Sequence, residues 1–220
     1  MCGIVGFSDK SKNKKKTIKD MADLIKHRGP DSDGYYTDED IALGFRRLSI
    51  IDLEGGSQPI YNEDKTKLVL MNGEIYNYKF LKEDLEAKGH KFTTKSDTEV
   101  LLHGYEEYKE DLLPMLRGMF AFVIYDTKTK ELFGARDFYG IKPLYYYKQD
   151  KEFMFGSEIK SFLAHPNFKK ELNRDMLEDY LTFQYSVGED TFFKNVYKLR
   201  PGHYFKYKDG NLTIKEYYSI

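Results

Sequence analysis

The chain has 220 residues, enough for one domain that buries roughly 70% of its unfolded surface without staples. Lys and Arg number 35 and Asp and Glu 36, a formal charge of −1, which excludes a protein held on nucleic acid by net charge. The single cysteine excludes an internal disulfide framework and a cysteine-built zinc site, and no apolar run is long enough to span a membrane.

A strand is predicted over residues 2–8, too short and too soon followed by lysines to be a signal peptide, so the expectation is a soluble cytoplasmic protein. The lysine run 12–16 reads as a solvated loop. It leads into a helix over 17–27 with Ile18, Met21, Ala22 and Ile25 on one face, and Thr17 with Asp20 resembles a capping box. His27-Arg28-Gly29-Pro30-Asp31 reads as a stop and turn. Strands follow over 41–49 and 68–72, with Gly55-Gly56-Ser57 as a plain turn between them. A helix over 79–88 stops at Gly89, and Ser96-Asp97-Thr98-Glu99 opens another that runs to 108. Strands over 119–125 and 132–136 form a hairpin through 126–130, and strands over 144–147 and 153–157 come next. Asn173 caps a helix carrying Met176, Leu177, Tyr180 and Leu181, and a strand over 203–208 turns at Asp209-Gly210-Asn211. Clustered strands with grouped helices imply an α+β fold, and 19 Tyr with 16 Phe against no Trp suggest stacked strands faced with aromatics. The chain contains no Walker loop and no GxGxxG.

Cys2 is the first candidate for chemistry. With Met1 removed it carries a thiol of pKa about 8.5 and an α-amine of about 8 on one residue, so nucleophile and base come together without a histidine. The alternative is a buried structural cysteine at a strand end. Asn72-Gly73 offers a side-chain amide and an unhindered backbone N–H to an oxyanion, although Asn-Gly taken locally is a turn. Arg47 suits bidentate capture of a carboxylate, or else a surface ion pair. Asp97 is a helix cap or, with Glu74, half of an ammonium cradle. Arg47, Glu74 and Asp97 together fit the two poles of a free α-amino acid. His27 is a further candidate, and His90, His103, His165 and His203 show no metal-ligand spacing.

The ordered set Met1-Cys2-Gly3-Ile4-Val5-Gly6, His27-Arg28-Gly29-Pro30-Asp31, Arg47-Leu48-Ser49-Ile50-Ile51-Asp52, Gln58-Pro59 and Asn72-Gly73-Glu74-Ile75-Tyr76-Asn77 resembles the glutamine-hydrolysing asparagine synthetases. Ser96-Asp97-Thr98-Glu99, Arg117-Gly118-Met119-Phe120-Ala121-Phe122, Ala135-Arg136-Asp137, Gly140-Ile141-Lys142-Pro143-Leu144-Tyr145 and Ser157-Glu158-Ile159-Lys160 continue it in family order. The resemblance implies a class II glutamine amidotransferase domain with the four-layer αββα N-terminal nucleophile hydrolase fold. It implies that Cys2 splits L-glutamine to glutamate and ammonia through a thioester, with Asn72 and Gly73 as oxyanion hole. It places Arg47 on the substrate carboxylate, backbone at Ile50 and Ile51 along the site, and Glu74 and Asp97 on the ammonium. The glutaminase domain is expected over 1–185, and 186–220 as a connecting segment toward a C-terminal synthetase domain in cis. That domain would bring ATP and Mg2+ and amidate aspartate; the glutaminase part needs no cofactor of its own, and a homodimer is an open expectation. The competing readings are a class II amidotransferase serving another acceptor, a non-catalytic module that retains Met1, and an N-terminal cysteine amidase for other amides.

Overall fold

A computed structural model describes residues 1–49, 56–186 and 188–219. Two six-stranded antiparallel sheets stack face to face, with helices on the outer faces. The first contains β1 (Gly3–Ser8), β2 (Ser32–Thr37), β3 (Ile41–Arg47), β8 (Tyr145–Gln149), β9 (Glu152–Gly156) and β10 (Val196–Lys198), in the order β10-β8-β9-β1-β3-β2. The second contains β4 (Ile60–Tyr61), β5 (Lys67–Ile75), β6 (Gly118–Asp126), β7 (Glu131–Arg136), β11 (His203–Lys208) and β12 (Asn211–Glu216), in the order β12-β11-β7-β6-β5-β4. Helix α1 (Lys14–Asp23) covers the first sheet; α2 (Tyr78–Ala87) and α3 (Glu99–Tyr108) cover the second. A fourth helix, α4 (Met176–Phe183), precedes β10.

The period-2 alternation of the strands dictates this layering. On β1, Ile4 enters the core between the sheets while Val5 and Phe7 face α1. On β5, Leu68 and Leu70 enter that same core while Val69 and Met71 pack toward α2 and α3. Both faces of each sheet are therefore apolar, and three aromatic-rich cores result. Phe153, Phe155 and Phe205 fill the inter-sheet layer, where Phe153 stacks on Tyr207 at 4.4 Å. Each fully buried large side chain contributes about 1.5–3 kcal/mol.

Three local expectations give way to packing. The lysine run is not wholly solvated: Lys14 is buried and its Nζ donates to the carbonyls of Asp9 and Glu39, both at 2.6 Å. With those bonds the helix starts at Lys14, so Thr17 lies inside it, buried, and no capping box forms. Neither Asn173 nor Ser96 caps a helix; the caps of α4 and α3 are Asp175 and Thr98. The sequence pattern does not reveal β2, β4 or β10, which are polar or only two to three residues long. Residues 186–220, expected as a connecting segment, supply β10 to β12 and thereby widen both sheets. No helix among the described residues is long and apolar enough to cross a membrane.

Candidate functional site

The alternation that builds the cores also gathers the predicted side chains. Gly3 pairs with Arg46 across β1 and β3, which sets Cys2 beside Arg47 at one end of the sandwich. Arg47 shares the inner parity of Leu43 and Phe45, whereas Arg46 faces outward, where it donates to the carbonyl of Ala22 and pairs with Asp23 and Asp33. Arg47 is buried, so a plain surface ion pair is excluded. Asn72 and Glu74 continue the inward row of Leu68 and Leu70 on β5. Cys2, Arg47, Leu48, Gly73, Glu74 and Asp97 line one small cleft between the sheets, about 50 Å³ in volume. Ile50 and Ile51, and Gly55 of the glycine turn, lie outside the described residues. A larger cavity, about 580 Å³, opens at the opposite end of β1 near Ser8, Tyr125 and Tyr207 and shares no residue with this cleft.

Asn72-Gly73 is not a turn; it lies inside a continuous strand paired to Ala121 and Phe120 of β6. Glycine is required here by proximity. A Cβ on Gly73 would sit 2.2 Å from the Met119 carbonyl oxygen and 2.7 Å from the Phe120 Cα. Successive backbone groups of an antiparallel strand point to alternate sides. Tyr76 N–H faces β6, donating to Arg117, so the odd-numbered N–H groups face the other edge. Beyond the short β4, Met71 N–H on that edge is taken by Gln58 Oε1 at 2.6 Å and Ile75 N–H by Asp97 Oδ2 at 2.8 Å. Gly73 N–H lies midway between them and points in the same direction, into the cleft. Asp97 is thus no helix cap: one oxygen pins β5. Burial and the neighbouring Glu74 charge raise its pKa, against the opposing bond from Ile75.

Cys2 Sγ is half-buried and 3.4 Å from the backbone N of Leu48, which donates to it. Burial pushes its thiol pKa up; the Leu48 N–H, the positive N-terminus, Arg47 and Arg28 pull the other way without prevailing. The thiol therefore needs a base to become a nucleophile. The Cys2 carbonyl is fixed from two sides. Arg28 Nε donates to it at 3.0 Å, and with the Asn72 amide oriented to satisfy its neighbours, Nδ2 donates to it at 2.9 Å. In that orientation Arg28 Nη2 reaches the Asn72 oxygen at 3.3 Å, while Arg28 Nη1 bonds Glu158 at 3.0 Å.

Arg28, Leu48 and Gln58 are the residues that sequence reasoning did not place in the site. The signal for Arg28 is the His27-Arg28-Gly29-Pro30-Asp31 run, which locally is turn chemistry and also belongs to the ordered set that carries the resemblance. A Cβ on Gly29 would lie 2.4 Å from the Arg46 carbonyl carbon, so this turn lies flat against the Arg46-Arg47 backbone. His27 does not line the cleft; it bonds Glu158 from the exposed side at 2.8 Å. Met1 is half-exposed, with Lys142 Nζ against its sulfur at 2.9 Å.

A thiol in a cleft that Gly73, the Arg47 guanidinium and the Glu74 and Asp97 carboxylates also line, with Arg28 on the Cys2 carbonyl, suits acyl transfer from an amide on an amino-acid-like substrate. Comparison with known proteins agrees with this chemistry. Asparagine synthetase [glutamine-hydrolyzing] 1 of Bacillus subtilis is 47% identical over 99% of this chain, and asparagine synthetase [glutamine-hydrolyzing] 2 of Arabidopsis thaliana is 41% identical over 96%. The chain spans about a third of the length of these curated relatives. Among solved structures, glutamine phosphoribosylpyrophosphate amidotransferase from B. subtilis superposes over 99% of this chain and 49% of its own, with a TM-score of 0.71 at 20% identity. That likeness is one of fold, the four-layer αββα arrangement of N-terminal nucleophile hydrolases. The family model described as "Glutamine amidotransferase domain" matches residues 1–218, from before the first strand through the last. By sequence along its whole length and by fold, this chain belongs to the glutamine amidotransferase domain family.

Proposed function

We propose that this chain hydrolyses L-glutamine to L-glutamate and ammonia with Cys2 as nucleophile, once Met1 has been removed. The observation that carries the reading is the arrangement along one edge of β5. Gln58 and Asp97 take the Met71 and Ile75 N–H groups, and Gly73 between them lines the same cleft as Cys2. The α-amine of Cys2 accepts the thiol proton, and the sulfur attacks the side-chain amide carbon. The oxyanion then meets Gly73 N–H and the second N–H of Asn72, whose first holds the Cys2 carbonyl. Collapse breaks the C–N bond, the α-ammonium returns the proton to the leaving nitrogen, and ammonia departs. Water attacks the thioester by the same route and releases glutamate. Arg47 holds the α-carboxylate, and Glu74 and Asp97 the α-ammonium.

The names of the relatives, and the two thirds of their length beyond this match, support a larger reaction. In it the ammonia amidates ATP-activated aspartate on a synthetase domain in cis, which brings ATP and Mg2+, in the cytoplasm. Incubation with L-glutamine tests the glutaminase step, with glutamate and ammonia measured and the N-terminus read by mass spectrometry. Equimolar glutamate and ammonia are expected from protein that begins at Cys2, and none from Cys2→Ala. Turnover by Cys2→Ala, or by protein that keeps Met1, would overturn the assignment.

A further inference from the structure

His90 and His103 have no metal-ligand spacing in the sequence, yet the fold brings them together behind the second sheet. His103 lies on α3 and is buried; His90 lies on the loop after α2, with ring centroids 5.2 Å apart. His103 Nδ1 is 3.2 Å from Glu106 Oε2 and 4.0 Å from Glu63 Oε2. His90 Nδ1 is 3.9 Å from that same Glu106 oxygen. One ligand atom each from Glu63, His90 and His103 lie within 4.8 Å of one another.

The surroundings fix these groups from behind. The far nitrogen of His103, Nε2, faces the buried Glu99 carboxylate at 3.6 Å, which leaves Nδ1 for the cluster. Glu99 is itself held by N–H and O–H of Thr93 and Thr94 at 2.6–2.9 Å. Asn62 Nδ2 occupies Glu106 Oε1 at 2.7 Å, and Lys91 N–H occupies Glu63 Oε1 at 3.2 Å, so each carboxylate turns its other oxygen inward. The two carboxylates are thus oriented by hydrogen-bonded partners, as the ligands of metal sites are, while His103 Nε2 is buried with no hydrogen-bond partner among the described residues. Other charges nearby are Lys67, 3.7 Å from Glu106, and Glu107, 3.5 Å from His90 Nε2.

We propose that Glu63, His90 and His103, with Glu106 beside them at His103 Nδ1, bind one borderline divalent ion, Zn2+ by the chemistry of two imidazoles and a carboxylate. Tetrahedral ligands at 2.0–2.1 Å stand about 3.3 Å apart, so the cluster contracts by roughly 1 Å on binding. The partly exposed Glu63 and His90 are free to make that movement. The ion fastens the turn after β4 and the loop before α3 onto α3, which begins two residues after Asp97. The rival occupant is a proton on His103, in a network of ion pairs.

The test uses metal-stripped protein with Cys2 carbamidomethylated, so that the thiol does not compete. Zn2+ is titrated calorimetrically, and Co2+ by its visible absorption. One ion per chain is expected, with His90→Asn and Glu63→Gln, both at partly exposed positions, weakening it by roughly tenfold or more while circular dichroism stays unchanged. Absence of saturable uptake at one per chain, or uptake that neither substitution changes, would overturn the proposal in favour of the protonated network.

Discussion

Gly73→Ala isolates the contribution of the β5 edge. The added Cβ meets backbone on both near contacts, 2.2 Å from the Met119 oxygen and 2.7 Å from the Phe120 Cα, against an ordinary contact of 3.4 Å or more. Neither neighbour has a rotamer to change, so β5 and β6 must separate. A displacement of roughly 1 Å at a group that positions chemistry costs about 10²-fold in rate. Overpacking of this kind also costs about 1–3 kcal/mol, which for a chain of this size lowers Tm by roughly 2–12 °C. Gly134→Ala is the control: its Cβ collides with the Phe205 ring at 2.4 Å, between the sheets and outside the cleft lining. Steady-state glutamate release with parallel thermal melts should show a similar loss of Tm in both variants, and a fall in kcat only in Gly73→Ala. If kcat in Gly73→Ala stays at the wild-type value, or falls equally in Gly134→Ala, the Gly73 N–H has no special part in the reaction.

Asn72→Ala should lower kcat by about 10²–10³-fold with little change in KM, the effect of losing one oxyanion donor; a fall of only a fewfold assigns that role elsewhere. Arg47→Ala should raise KM for glutamine by about 10- to 150-fold, from the roughly 1.5–3 kcal/mol of a charge-assisted pair, and an unchanged KM removes Arg47 from the carboxylate. Burial and Glu74 raise the pKa of Asp97, so its ionised form, the form that pairs with an ammonium, is lost at a higher pH than in a free aspartate as pH falls. Glutamine KM should therefore climb on the acid side sooner than for an exposed carboxylate, and Asp97→Asn should abolish that limb while raising KM at neutral pH. The same shift makes the ionised Asp97 a cost to folding above its raised pKa, so Asp97→Asn, whose amide oxygen still accepts from the Ile75 N–H, should gain stability there, and a lower Tm at neutral pH would refute this.

Long, alternating strands were legible because their period is imposed by burial on both faces: β1, β3, β5, β6 and β7 all fall where the apolar pattern puts them. Edge strands were not. β2 reads Ser-Asp-Gly-Tyr-Tyr-Thr, half-exposed throughout, and β4 and β10 are too short to carry a period. Asn72-Gly73 shows the same limit in the opposite direction. Locally it is turn chemistry, and only the close approach of β6 explains why glycine sits mid-strand. For Asp97 the sequence offered cap or cradle, and the choice rests on an N–H more than twenty residues away in the chain. The histidine cluster depends on α2 and α3 packing side by side, which no spacing encodes.

The reach of the sequence into the site follows from this division. Parity along a strand decides inward or outward, and so separates Arg47 from Arg46, which composition treats alike. Register decides which inward residues meet: the pairing of Gly3 with Arg46 places Cys2 by Arg47, and the pairing of Gly73 with Phe120 leaves the next N–H edge open to the cleft. Parity can be read from the chain; register has to be read from the fold. A one-residue slip of β5 on β6 would turn Asn72 toward the helices and direct the Gly73 N–H at β6. The glycine that the close approach of β6 requires and the backbone donor proposed for the oxyanion are one residue, so in this fold the constraint on packing and the constraint on chemistry cannot be varied independently.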